Sequence, residues 1–466
     1  MQFLNLLIKP VWILVIDRAV QNILPQDVYG NYFALLNFSL MFFILLDLGL
    51  NGYNSTRASR DQNKILELAG SIIGIKVLLS VVYLTVVFIV GGMLGYTSAE
   101  FKLLGLLCLL QIITSFNQYL RTIVSSLQKF KADGVFMVLD RVIVVALCSV
   151  LIWGGVKGFE LTIDRFVYIQ ILGVLLVLIV LLIFLRKKLA GLKLSFGFGN
   201  MKAVLVKSWP FALLITLMGL FNYVDGVMLK QLSGDGEAGN YAMGYRLFYA
   251  LLMFAQIFSG VLLPFFSKNI KNVTVIENIA RYTSKLLLFV GFTVAFICLA
   301  YSTELIEVLY PDKFSVKASN TFSVLMFGFV GSALVLVFGT LLTANLSLRQ
   351  LNIAAGLTLV LNLVSNALLI PIYGAIGAAF ATLVSQLLFG SICLFLSYRT
   401  FNFDIDYTNL GKQIVGLIAL FTVTVFLKQY FETPIVHFLM ITLTIILGAY
   451  LFKIVEKKQL KSLLKK

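Results

Sequence analysis

Residues 17–32 read Asp17-Arg18-Ala19-Val20-Gln21-Asn22-Ile23-Leu24-Pro25-Gln26-Asp27-Val28-Tyr29-Gly30-Asn31-Tyr32, and their outline returns at 225–241. There an aspartate, Asp225, is followed by the turn Ser233-Gly234-Asp235-Gly236 and then by Ala238-Gly239-Asn240-Tyr241. The two aspartates stand within one residue of the same offset from the shared Gly-Asn-Tyr. A second echo pairs Val138-Leu139-Asp140 with Val360-Leu361-Asn362. Six apolar runs of spanning length separate the two copies, so the repeated unit is six helices. Because six is even, both copies enter the membrane in the same sense, and a pseudo-two-fold axis along the membrane normal relates them.

The rest of the chain agrees with a membrane solvent. Of 466 residues, 60% are hydrophobic and 12% charged, where a soluble domain carries about 25% charge. With about 20 apolar residues per span, the sequence predicts an all-α polytopic membrane protein of about fourteen transmembrane helices. They fall near 3–24, 28–50, 67–94, 99–126, 133–154, 163–185, 208–230, 239–265, 280–301, 320–345, 350–370, 375–397, 411–429 and 435–453. The expected organisation is a six-helix lobe at 1–190, a basic linker at 191–207, a second six-helix lobe at 208–397, and an extra helix pair with a basic tail at 398–466. The first span lacks a small-residue cleavage site and is read as retained.

Lys and Arg gather on the side of the termini, as in Arg186-Lys187-Lys188 and the tail from Lys453. By the positive-inside rule both ends are cytoplasmic. The net charge of +16 then serves topology and attraction to anionic headgroups of membrane lipids; no nucleic-acid recognition module is present in the sequence. Cys108, Cys148, Cys298 and Cys393 each stand alone in apolar runs, and His437 is the one histidine. Neither a metal site, a disulfide framework, a cofactor nor a Ser-His or Cys-His nucleophile is expected, so the chain does not read as an enzyme.

The stretch from Asp17 to Arg60, with Leu24-Pro25, Tyr29-Gly30-Asn31-Tyr32 and Leu48-Gly49-Leu50, resembles the first helix pair of polysaccharide flippases in the multidrug/oligosaccharidyl-lipid/polysaccharide exporter superfamily. Trp209-Pro210, Asp225, Gly239-Asn240-Tyr241, Tyr245-Arg246 and Leu263-Pro264 are similar to its second half, and 371–379 to its eleven-to-twelve turn. The resemblance implies two six-helix lobes, alternating access, and a bacterial inner-membrane flippase. Its implied cargo is an undecaprenyl-diphosphate-linked oligosaccharide carried from the cytoplasmic to the periplasmic leaflet, for O-antigen, lipopolysaccharide or another surface polysaccharide. A polymerase or ligase would receive the glycan, and H+ or Na+ would serve as coupling ion.

Nine ionisable residues lie inside the spans: Asp17, Arg18, Asp47, Lys76, Arg121, Asp140, Arg141, Asp225 and Arg246. Each costs at least roughly 2.5–3.5 kcal/mol at mid-membrane and so faces water, a ligand or a partner. At 1.5 Å per residue, Asp17, Arg18, Asp225 and Arg246 lie roughly 10 Å from the nearest periplasmic turn. We expect two pairs closing that side, Asp17 with Arg246 and Arg18 with Asp225. Arg18, Lys76, Arg141 and Arg246 are the candidates for holding a diphosphate, because guanidinium grips phosphate oxygens bidentately and ammonium supplies a point charge. Asp17, Asp225 and Asp140 are the candidates for gating or ion coupling. The same charges also read as static bridges within a lobe. Rival functions are a multidrug cation antiporter, a peptidoglycan-precursor flippase and a non-transporting scaffold for glycan assembly.

Overall fold

The computed structural model describes residue 8, residues 10–51, 62–154, 160–189 and 198–403, and a few positions between 416 and 442. Expected spans thirteen and fourteen, linker residues 191–197 and the basic tail lie outside the described residues. Among the described residues every regular element is helical. In chain order α1 is π-helical at Trp12–Asp17 and α-helical at Arg18–Ile23, α2 is Gln26–Met41, α3 Gln62–Met93, α4 Ser98–Ser126, α5 Phe130–Trp153 and α6 Ile163–Leu189. The second series is α7 Phe198–Ser233, α8 Asp235–Asn269, α9 Val273–Leu309, α10 Val316–Leu334 continuing through a π-turn at Val335–Gly339 into Thr340–Ala344, α11 Leu348–Tyr373 and α12 Ala375–Phe401. Ten of these helices are long and apolar enough to cross a membrane. The stretch expected as linker at 198–207 forms the first turns of α7.

Local chemistry sets the ends. Pro25 cannot donate and disfavours helix in the residue before it, so α1 stops at Ile23 and Leu24 turns extended. The start of α4 is a capping box, in which Thr97 Oγ1 accepts from Glu100 N and Glu100 Oε2 accepts from Thr97 N at 2.7 Å. Between α11 and α12 the chain turns at Gly374, whose φ of +60 suits glycine. A side chain there would also strike Glu237, whose Oε2 accepts from Ala375 N at 2.8 Å and caps α12.

Span two departs from expectation. A continuous helix over 28–50 is predicted, yet α2 ends at Met41 and passes into a 3-10 turn at Phe43–Leu46. Leu48 and Gly49 then adopt positive φ. The cause is a tertiary ligand. Lys76 Nζ of α3 donates to the Leu46 carbonyl at 2.9 Å, to Ser115 Oγ of α4 at 2.7 Å and to Asp47 Oδ1 at 3.3 Å. An ammonium has three protons to give, and this one gives them to oxygens that a regular helix would not present together.

By density of packing the chain divides into two compact units, Met1–Arg246 with Leu363–Ala378, and Leu247–Asn362 with the residues from Ala379 onward. The second unit packs α9 against α10 and ties α10 to α12 through Ser332, which donates to Gln386 Oε1. The first unit holds every intramembrane charge discussed below.

Candidate functional site

Asp17 closes the π-helical turn of α1 and is only 1% exposed. A π-turn widens the helix and is enriched where function needs an unusual side-chain direction. Tyr29 of α2 donates its hydroxyl to both Asp17 oxygens at 3.0 Å. Arg246 of α8 places Nε 2.9 Å from Asp17 Oδ2 and also donates to the Tyr29 hydroxyl at 3.2 Å. The Phe33 ring lies 5.4 Å from the guanidinium carbon. Carboxylate, phenol and guanidinium thus close a triangle drawn from α1, α2 and α8. Charge-assisted hydrogen bonds of this kind are what make a buried ion pair tolerable. The expected pairing of Asp17 with Arg246 is present in the structure.

Aromatic rings extend the site on one side. Trp12 stacks on Phe166 at 5.6 Å, Phe166 meets Tyr32 edge-on at 5.7 Å, and Tyr32 meets Tyr29 at 5.6 Å. Gln170 of α6 donates to the Tyr32 hydroxyl at 3.2 Å. Arg141 of α5 lies over the Trp12 ring at 5.4 Å and keeps Nε 3.6 Å from its neighbour Asp140. Asp140 and Arg141 therefore face each other loosely.

The second aspartate is held by the same device. Asp225 of α7 is 2% exposed; Tyr241 of α8 donates to its Oδ2 at 2.9 Å and Asn366 of α11 to its Oδ1 at 2.6 Å. In each half a tyrosine from the following helix thus donates to the buried aspartate. The sequence repeat aligns Tyr241 with Tyr32, yet it is Tyr29, one turn earlier, that serves Asp17. The expected pairing of Arg18 with Asp225 does not form. Successive helical residues point about 100° apart, so fixing Asp17 on Arg246 turns Arg18 elsewhere. Arg18 is half-buried, makes no ion pair, and leaves Nε enclosed without a hydrogen-bond partner.

Other intramembrane charges named from the sequence make polar contacts of their own. Lys76, 1% exposed, spends its three protons on the broken end of span two. Arg121 bridges to Asp133 at 2.8 Å, and Asp47 accepts from Asn51 N as well as from Lys76. Among the described residues no set of three or more His, Cys, Asp or Glu gathers in a metal-binding arrangement.

At the turn end of the unit α2 and α8 cross backbone to backbone. A Cβ on Gly30 would overlap the Asp235 carbonyl oxygen and stand 2.7 Å from Gly239 N. Reciprocally, one on Gly239 would stand 2.5 Å from the Gln26 carbonyl oxygen. Gly30 corresponds to Gly239 in the repeat, and Gln26 to Asp235 at the same spacing, so the contact is self-complementary. Gln26 Nε2 donates to the Gly236 carbonyl at 2.9 Å. Lys230 beside it bridges Glu100 and Asp235, at 2.8 Å to the latter. The sequence reading missed this crossing, although the aligned glycines were its signal. It also missed both tyrosine ligands.

No curated protein matches the chain in sequence. Among solved structures it is similar to the lipid II flippase MurJ in an inward closed conformation, at TM-score 0.73 and 14% identity, covering 97% of this chain and 99% of that one. An inward-facing multidrug resistance MATE transporter of the MOP superfamily aligns at TM-score 0.61 and 13% identity, over 86% of this chain and 95% of that one. The Vibrio cholerae MATE transporter VcmN follows at TM-score 0.55 and 14% identity, over 85% and 93%. These likenesses show a shared fold. The family described as polysaccharide biosynthesis protein matches residues 1–270, more than half of the chain, and it is to this family that the chain belongs.

Proposed function

We propose that the protein is a flippase that carries a lipid-linked oligosaccharide from the cytoplasmic to the periplasmic leaflet by alternating access. The observation that carries this reading is the buried Asp17–Arg246 pair. It joins the first sequence repeat to the second, roughly 10 Å below the turns. A charge pair across a seam that opens exchanges its partner for water or substrate, whereas a static seam is served as well or better by apolar packing. In the crossed state Asp17 neutralises Arg246. When α8 draws away from α1, Arg246 is released from Asp17, and it joins Arg18 and Arg141 as a guanidinium available to a diphosphate. Lys76, already saturated, drops out of the binding set.

Membership in a polysaccharide biosynthesis family supports a glycan cargo, and the excess of arginine supports an anionic linker between glycan and lipid. The likeness to a lipid II flippase concerns fold and supports movement of a lipid-linked substrate. Asp17 and Asp225, each retaining a tyrosine donor, are the candidates for taking up a coupling ion.

The test is a leaflet-accessibility assay in proteoliposomes with a defined prenyl-diphosphate oligosaccharide. Arg18→Ala and Arg246→Gln are expected to slow translocation at least about tenfold, the loss of one charge-assisted contact, while the folded protein is retained. Parental translocation in both variants would leave these arginines structural. Dye efflux by cells expressing the protein, with no glycan translocation, would instead favour the cation antiporter.

A further inference from the structure

Tyr29 is used twice in one site. Its hydroxyl proton points at Asp17, where both oxygens lie at 3.0 Å, and its lone pair accepts from Arg246 at 3.2 Å. Tyr241 in the second half donates to its own aspartate in the same way. Tyr32, the repeat counterpart of Tyr241, accepts from Gln170 instead. The first half therefore places on one phenol a group that touches both members of the interrepeat pair. Tyr29 and Asp17 sit on consecutive helices joined by the short Leu24-Pro25 turn, while Arg246 comes from a helix more than two hundred residues away in sequence. Any motion that separates α8 from α1 breaks the Arg246 contacts and leaves the Tyr29–Asp17 bond intact.

We propose that Tyr29 is a positioning residue for transport, the donor that keeps Asp17 satisfied when Arg246 leaves it, and thereby sets how readily the α2–α8 crossing opens. This rests on the alternating-access reading above. In the crossed state Arg246 also serves Asp17, so loss of the phenol is partly covered by the guanidinium. In the opened state the Tyr29 bond remains. Removing its hydroxyl therefore penalises opening more than closing, and the protein accumulates in the crossed state. A phenol that merely filled space would act alike in both states.

The experiment uses full-length protein with Cys108, Cys148, Cys298 and Cys393 replaced by alanine and a reporter pair, Gln26→Cys with Gly236→Cys, on the two crossing helices. A Cβ at Gly236 meets open space, while Gln26→Cys removes the bond to the Gly236 carbonyl, so every variant is compared with the parent that carries the same reporter pair. A short bifunctional thiol cross-linker then measures the ratio of crossed to opened protein in liposomes. Tyr29→Phe is expected to raise that ratio about tenfold or more, the worth of one hydrogen bond to a charged group. In an Asp17→Asn background, where no carboxylate needs the donor, Tyr29→Phe should leave the ratio unchanged. Tyr32→Phe, which loses only the Gln170 bond, should match the parent.

An unchanged ratio for Tyr29→Phe overturns the proposal, and so does the same shift with and without Asp17→Asn. If Tyr29→Phe fails to fold, Tyr29→His carries the same cycle, with opening expected to be restored toward the parent. Failure of the underlying reading has a different signature. The reporter pair would then cross-link completely in the parent and in Arg246→Gln alike, showing that α2 and α8 never part.

Discussion

Gly30→Ala is the sharpest probe of the helix crossing. The added methyl would overlap the Asp235 carbonyl oxygen, stand 2.7 Å from Gly239 N and lie 2.9 Å from the Asp235 carbonyl carbon. All three are backbone atoms, so no rotamer change relieves them and α2 must move away from α8. Overpacking of this kind costs about 1–3 kcal/mol, and the whole cost falls on the crossed state. In a state where the helices are apart, alanine is the better helix former by roughly 0.5–1 kcal/mol. Together these terms lower the ratio of crossed to opened protein roughly ten- to a thousandfold. Gly239→Ala should act in the same direction but less, because one of its obstacles, Gln26 Cγ at 2.7 Å, belongs to a side chain that can swing aside. The double variant should fall short of the sum, since a crossing already parted offers the second methyl little to strike. The Gln26→Cys and Gly236→Cys cross-link reads all three. A Gly30→Ala protein that cross-links as fully as its parent and melts at the same temperature would falsify the backbone contact and the gating assigned to it.

Two further outcomes follow from buried polar groups. Lys76→Met leaves the Leu46 carbonyl, Ser115 and Asp47 without their shared cation and should destabilise the protein by about 3–5 kcal/mol, the cost of orphaning a buried charge; a thermal melt in detergent measures it, and Asp47→Asn in the same protein should recover part of the loss. Asn366→Leu removes the 2.6 Å donor to Asp225 and should cost about 1.5–3 kcal/mol in the same melt. Adding Asp225→Asn should restore most of it, and a melt insensitive to either change would show that this carboxylate is served by other donors.

Helix order was legible because it rests on composition and period. The expected spans up to 397 follow the order of α1 to α12, with span two ending early at Met41, and Pro25, Gly234 and Gly374 mark turns that the structure keeps. The early end of α2 was not legible. Residues 42–50 are as apolar as a helix requires, and what breaks them is an ammonium some thirty residues further along the chain. The Asp17–Arg246 pair could be anticipated because repeat position and depth placed both groups at one level. The partner of Arg18 could not, because level says nothing about azimuth, and a π-turn ahead of Asp17 alters the rotation that a regular helix would give. Asp225 illustrates the same limit: its donors Tyr241 and Asn366 are neutral, and neutral donors leave no charge pattern to read.

The Gly30–Gly239 crossing also bears on descent. Each partner presents the same surface to the other, which is the property of an isologous contact between identical subunits about a two-fold axis. A six-helix ancestor that dimerised through this glycine would have made the contact before gene duplication and fusion joined its two copies. The drift since then is visible nearby, where one half kept an arginine for its aspartate while the other settled on an asparagine. A homodimer contact and this intramolecular one would share the same geometry.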